Sequence, residues 1–300
     1  MSHHILINPL AGYGNGTAPA WQTEMESQGQ TVITHDITAV SKDYPAFFAT
    51  LSKDDTLILC GGDGTLNCFV NDTEGLSLPC ELLYAPGGTG NDFLRDLERT
   101  DGRPFPVSAY LQDLPFVEIR GKRWRFLNNV GFGIDGYCCE VGDALKISKP
   151  GVPVNYTAVA IKGLLFHYKP TTATVIVDGE TFTYKKAWLA PTMKGRYYGG
   201  GMIATPAQDR ADPAGTISVM LFYGKGRLST LMAFPSIFKG EHIKHKKMVS
   251  IHTGKEIRVI FDSPRAVQID GETVTGVTEY CAYAADRAPA ATEDFASANA

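Results

Sequence analysis

Two aspartates, each in a glycine-rich turn directly after an apolar run, are the residues whose type and spacing best suit phosphate chemistry. The run Thr56-Leu57-Ile58-Leu59-Cys60 leads into Gly61-Gly62-Asp63-Gly64-Thr65, and Leu66 to Asn71 reads as a helix start. Glycines at a strand-to-helix junction let backbone N–H groups approach a ligand closely, and the helix N-terminus favours negative charge. The next apolar run, Leu82-Leu83-Tyr84-Ala85, enters Pro86-Gly87-Gly88-Thr89-Gly90-Asn91-Asp92. Two such loops would lie side by side at the carboxyl ends of parallel strands, where α/β ligand sites form. A third turn, Asn8-Pro9-Leu10-Ala11-Gly12-Tyr13-Gly14, follows the first apolar run and could approach the same place. Either aspartate alone could be a turn former or a helix cap. Their repetition in matching loops favours a site.

The motifs Gly61 to Asn67 and Pro86 to Phe93 match, in identity, order and separation, those of the diacylglycerol kinase catalytic family, which the chain resembles along nearly its whole length. Further similarities are Phe126 to Asp135, Arg196 to Met202, Gly240 to His242, and Gln268 to Glu272. The resemblance implies an ATP-dependent lipid kinase. It assigns ATP contacts to Asn8, Pro9, Leu10, Ala11 and Gly12, to Thr38, to Gly61, Gly62, Gly64, Thr65, Leu66 and Asn67, and to Thr89. Thr34 competes with Thr38, and both also suit a strand. Asp63 and Asp92 would hold catalytic Mg²⁺, directly or through water, as sites built from one or two carboxylates and nucleotide phosphates do. Glu272 resembles the family's proton acceptor for the lipid hydroxyl. A carboxylate is too weak a base to strip an alcohol beforehand, so it would take the proton as the phosphoryl group transfers. Asp178-Gly179-Glu180 repeats the tripeptide Asp270-Gly271-Glu272, but falls in an ordinary hairpin. Bacterial members often carry a structural Mg²⁺ in an acidic loop. Here that loop, Thr205 to Gly215, is longer and has Ala214 where an aspartate is expected, leaving Asp212 as the candidate ligand.

These residues need a scaffold. The first hundred residues alternate short apolar runs, glycine turns and helix-like stretches, which predicts an α/β domain with a parallel sheet over residues 1–116. From Val117 the period changes to two, predicting a β-rich, sandwich-like second domain over residues 117–287, with helices at Val154 to Tyr168 and Arg227 to Phe238. Residues 288–300 read as a disordered tail.

Composition bounds the partners. No run approaches the ~18 apolar residues a membrane span requires. The N-terminus reads as a strand rather than a signal peptide, which predicts a cytoplasmic protein. The six cysteines show no metal-ligand spacing. A net charge of −4 argues against nucleic acid as partner. A lipid kinase must visit the inner membrane surface, and Lys239 to Lys247 is the densest basic stretch. The apolar segment Val154 to Tyr168 suits either a lipid groove or a core. An exposed edge strand would allow a homodimer. Competing readings are NAD kinase, which shares the first glycine motif, and a catalytically silent binding protein. A third is a dinucleotide oxidoreductase suggested by Gly131-Phe132-Gly133-Ile134-Asp135-Gly136. That motif lies in the β-rich part without the following strand and acid such a fold needs, and is read as coincidence. The acceptor lipid is diacylglycerol first, with sphingoid bases, ceramide or phosphatidylglycerol behind.

Overall fold

The alternation of the first hundred residues becomes a parallel sheet because its central strands carry apolar side chains on both faces. In the computed structural model, which describes residues 1–9, 19–87, 91–149, 152 and 154–285, the chain runs through β1 (His3–Ile7), α1 (Ala20–Ser27), β2 (Val32–Asp36), α2 (Ile37–Val40), α3 (Tyr44–Phe48), β3 (Thr56–Gly61), α4 (Asp63–Asp72), β4 (Glu81–Pro86), α5 (Asp92–Asp96), β5 (Phe105–Pro106) and α6 (Ser108–Leu111). The five strands are ordered β2-β1-β3-β4-β5, with β5 alone antiparallel. Leu57 and Leu59 of the central strand β3 point into a core completed by Tyr44, Phe48, Leu66, Phe69 and Phe93. Ile58 and Cys60 point the other way, against Ile5, Ala85 and Trp21 of α1. All six residues of β3 are buried, as a central parallel strand covered on both faces should be.

The second unit follows as β6 (Phe116–Ile119), β7 (Lys122–Arg125), β8 (Asn129–Gly133), α7 (Ile134–Ser148), α8 (Tyr156–Lys162), β9 (Thr171–Val177), β10 (Glu180–Ala187), β11 (Leu189–Met193), β12 (Tyr197–Tyr198), β13 (Met202–Ile203), β14 (Ile217–Phe222), α9 (Arg227–Ala233), β15 (Val249–Gly254), β16 (Glu256–Ile269) and β17 (Glu272–Tyr283). A π-helical turn, Gly163–His167, continues α8, and 3-10 turns at Phe234–Lys239 and Glu241–Lys244 continue α9. Ten strands form one antiparallel sheet. It folds over on itself because β16 loses register between Ile260 and Arg265, pairing with β9 before that irregularity and with β8 after it. The enclosed core includes Phe132, Val175, Val219, Val259 and Tyr280. An α/β unit followed by a β-rich, sandwich-like unit is the architecture expected.

One expectation needs correction. Two helical segments were expected within the β-rich part, and both are present, but α7 is a third and the longest helix there at 15 residues. Its first turn, Ile134 to Tyr137, follows a glycine-rich strand without a side-chain cap, so no sequence signal marked its start. The Gly131 to Gly136 motif therefore does join a strand to a helix. It is nonetheless a packing device: a side chain at Gly136 would collide with the Ala266 carbonyl of β16, and one at Gly131 would sit 2.7 Å from Pro191 Cα. No space is left for a pyrophosphate.

Candidate active site

The register of the parallel sheet brings the predicted loops together. Ile7 pairs with Asp36 on one side and Cys60 on the other, and Gly61 pairs with Pro86, so Asn8, Thr38, Gly61 and Gly87 all emerge at one end of the sheet. The loops touch there: Gly87 N donates to Gly61 O at 2.8 Å, and Asn8 Nδ2 donates to Thr65 Oγ1 at 3.0 Å. Thr65 packs so tightly on Gly61 that a side chain at position 61 would collide with it. Pro9 is exposed in the turn after Asn8, and Leu10, Ala11, Gly12 and Thr89 lie outside the described residues. Thr38 is exposed at the start of α2, where the Asp36 carboxylate accepts from both its N–H and its hydroxyl. Gly62 precedes α4 as its cap, and Gly64 lies in its first turn, beside the Asp270 backbone. Leu66 is fully buried in the core, leaving only backbone for a ligand.

Asp63 opens α4 and Asp92 opens α5. Asp63 Oδ2 accepts from Asp92 N at 2.7 Å, Phe93 N at 3.2 Å and Asn128 Nδ2 at 2.9 Å. Its other oxygen is buried without a hydrogen-bond partner. Burial, then the neighbouring Asp92 carboxylate, pushes Asp63 up to about 7. Asp92 is raised too, chiefly by burial, against the Gly200 N–H on its Oδ2 at 2.7 Å and a long contact of 3.4 Å from Arg95. That N–H comes from Gly199-Gly200-Gly201, which all adopt positive φ. A side chain at Gly201 would also strike the Arg95 guanidinium. The glycines of the Arg196 to Met202 segment thus grip the second aspartate.

Several residues here escaped the sequence reading. Asp270, at the Asp270-Gly271 turn of the β16–β17 hairpin, accepts from Leu127 N, Asn128 N, Asn129 N and Asn67 Nδ2, the last at 2.9 Å. Burial pushes it up to about 6 despite those donors. Asn67, a predicted ATP contact, therefore commits its amide to the other unit. Arg210 donates to Leu127 O, to Asn128 Oδ1 at 2.7 Å and to Asp96 Oδ2 at 2.9 Å, and its guanidinium lies 4.9 Å from the Phe93 ring centre. Arg196 reaches the other Asp96 oxygen at 2.9 Å. The signal was present, since Asn128 and Arg196 fall within motifs noted above, but nothing in the sequence paired them with Asp63 or Asp96. Glu272 opens β17, exposed, and close enough to Cys68 of α4 that it contributes, after burial, to pushing that thiol up to about 11. The repeat at Asp178 lies elsewhere, accepting from Lys255 N at 3.0 Å and Glu256 N at 2.9 Å.

Asp212 is not gathered with these carboxylates. Its oxygens accept from Ala214 N at 2.9 Å and the Thr216 hydroxyl at 2.6 Å within its own turn. Among the described residues no three His, Cys, Asp or Glu side chains cluster as a metal-binding group. The buried cation of this loop is Arg210.

The chain has a parallel-sheet unit with paired aspartates at its carboxyl end followed by a β-rich unit, and it belongs to the family of the YegS C-terminal domain, with a diacylglycerol kinase catalytic domain ahead of it. The diacylglycerol kinase catalytic domain matches residues 2–110, and the YegS C-terminal NAD kinase beta sandwich-like domain matches residues 128–286. The chain is 25% identical to the "Putative lipid kinase YtlR" of Bacillus subtilis (strain 168), over 93% of this chain and 96% of that one. It is also 25% identical to the diacylglycerol kinase of Mycobacterium tuberculosis (strain H37Rv), over 80% and 79% respectively. A solved structure of a "putative diacylglycerol kinase" from Bacillus anthracis str. Sterne superposes with a TM-score of 0.62 at 18% identity, covering 94% of this chain and 91% of that one, which supports the fold. No helix among the described residues is long and apolar enough to cross a membrane.

Proposed function

We propose that this protein is an ATP-dependent lipid kinase that transfers the γ-phosphoryl group to a hydroxyl of a membrane lipid, with diacylglycerol, yielding phosphatidic acid, as the first candidate. The observation that carries the reading is the pair of buried aspartates, Asp63 and Asp92, at the starts of two adjacent helices. Two carboxylates in mutual repulsion, one with an orphaned oxygen, fit a divalent cation better than they fit empty protein. Bound Mg²⁺ would neutralise charge on the transferring phosphoryl group and fix the nucleotide phosphates.

The chain's own residues supply the rest. Asn8 and the Gly61 to Thr65 junction offer backbone N–H groups and a hydroxyl to the nucleotide, and the resemblance assigns Pro9 to Gly12 and Thr89 to it as well. Asp270 is saturated by four N–H donors, so it orients the Leu127 to Asn129 segment and the hairpin rather than accepting a proton. Glu272, two residues on and exposed, is the carboxylate with capacity to accept the lipid hydroxyl proton during transfer. Asn128 holds Asp63 while Arg210 holds Asn128, fixing the metal-binding oxygen in place.

Purified protein incubated with radiolabelled ATP, Mg²⁺ and a lipid panel in mixed micelles, with NAD alongside, tests the reading. Label should enter an organic-extractable product. Asp63→Asn and Glu272→Gln should each lower kcat by about 100-fold or more, while Asp178→Asn leaves it unchanged. Label entering NAD instead, or no transfer to any acceptor, would overturn the proposal.

A further inference from the structure

Asp or Glu would ordinarily be expected on exposed helices of an acidic protein, yet one cap of the second unit carries a single one. Residues 149–169 carry Lys149, Lys162 and Lys169 and no acid, whereas Lys146 of α7 is paired with Asp143 at 3.0 Å. Residues 225–247 carry Lys225, Arg227, Lys239, Lys244, Lys246 and Lys247 against the single Glu241. The chain as a whole has a net charge of −4, so the positive charge is local.

These two segments pack together. Val159 and Ala160 of α8, Leu164 of the π-turn, and Leu231, Ala233 and Ile237 around α9 share one core. Arg227 at the start of α9 donates to Leu164 O at 2.8 Å. The opposite side of the same elements is apolar but uncovered: Phe166 and Leu228 are each 70% exposed and Met232 is 77% exposed, with Ile161 and Phe238 nearly half exposed. Leu228 and Met232 stand four residues apart and so share one side of α9. Large apolar side chains placed outward, on elements whose inner faces are already filled, mark an interaction surface.

We propose that the cap formed by α8, the π-turn and α9 is the surface by which this protein docks on an anionic lipid bilayer, with Phe166, Leu228 and Met232 entering the acyl boundary and the lysines meeting the headgroups. Net positive charge opposes a second copy of the same face and matches an anionic bilayer. The face is also joined to the candidate site. Helix α7, which packs on α8 and the π-turn, holds Thr273 through Asp143 Oδ2 at 2.8 Å, one residue from Glu272. The inference rests on the lipid kinase reading for its purpose, but its test does not require turnover.

The full chain is sedimented with vesicles of phosphatidylcholine alone, or with about one third phosphatidylglycerol, and compared with a Leu228→Asn/Met232→Asn variant and a Phe166→Ser variant. All three positions are exposed, so near-native melting is expected in each. The parent should bind the anionic vesicles, lose that binding in high salt, and bind neutral vesicles little. The double variant should bind roughly tenfold more weakly or worse. Kinase activity on a short-chain diacylglycerol below its micellar concentration should be unchanged in the variants, while activity on vesicle-borne diacylglycerol falls. Equal vesicle binding by parent and double variant would overturn the docking face even if the kinase reading stands. A parent that binds vesicles through these residues yet phosphorylates no lipid would sink the kinase reading and leave the docking face intact. A shift from dimer to monomer in the variants, without a change in vesicle binding, would overturn the proposal in favour of a copy-to-copy contact.

Discussion

Asp63 and Asp135 show how differently two buried carboxylates can be used. Asp63 has an orphaned oxygen at the meeting point of both glycine loops, where a cation would relieve it. Asp135, at the start of α7, also has one buried oxygen without a partner, and burial pushes it up to about 7. Each keeps its proton in the folded chain to a higher pH than in the unfolded one. Their contribution to stability is therefore complete in acid, below the ordinary carboxylate range, and is lost as pH rises through about 7. In magnesium-free buffer the parent should melt at a lower temperature at about pH 8 than at about pH 5.5. Asp135→Asn, which removes the charge but keeps the shape, should flatten that slope and melt above the parent at the alkaline end. An unchanged slope would mean that Asp135 is not the titrating group. Added Mg²⁺ should raise the alkaline melting temperature of the parent, and Asp63→Asn should abolish that gain.

At the level of elements, the loop from Thr205 to Gly215 is organised by an arginine. Arg210 is nearly buried and bridges Asp96 at the end of α5 to Asn128 before β8. Losing Arg210 would leave Asp96 held by Arg196 alone and would leave the Asn128 side-chain oxygen and Leu127 O without their donor, and each buried acceptor so stranded costs about 1–3 kcal/mol. Arg210→Ala should accordingly shift the urea midpoint sharply downward, with Mg²⁺ failing to restore it, since the lost cation is part of the chain. Rescue by Mg²⁺ would show instead that the loop keeps a metal site around Asp212. Asp212 itself is half-buried and bonded only within its turn, so Asp212→Asn should change stability by less than about 1 kcal/mol.

Across the whole molecule, the two units are joined by polar contacts at the candidate site. Asn67 Nδ2 donates to both Arg125 O and Asp270 Oδ2, each at 2.9 Å, and Asn71 accepts from Arg125 N at 2.7 Å. Leu114 and Leu127 extend the first unit's core into the segments that lead to the second. Such coupling predicts a single unfolding transition for the parent by calorimetry. Asn67→Asp would set a second carboxylate against Asp270, and like charges at that distance disfavour the closed arrangement. Two transitions should then separate, or the midpoint fall by several degrees; an unaltered single transition would mean that the contact carries no coupling. The same substitution should impair transfer, because the Asp270 turn that presents Glu272 would lose its support.

The sequence by itself determined the parts that depend on neighbours along the chain. Strand–glycine–helix junctions put Asp63 and Asp92 on helix N-termini because glycine conformation, strand alternation and helix initiation are local properties. Only the tertiary structure decided what those aspartates touch. Asn67 meets Asp270 across 203 residues, Asn128 meets Asp63 across 65, and Arg210 meets Asp96 across 114, and no spacing rule links them. The glycines of the Gly131 to Gly136 motif could be assigned to packing only once Ala266 and Pro191 were seen against them. The outward placement of Phe166, Leu228 and Met232 was likewise hidden, because an apolar residue on a helix reads as core until the neighbouring elements show which face is already filled.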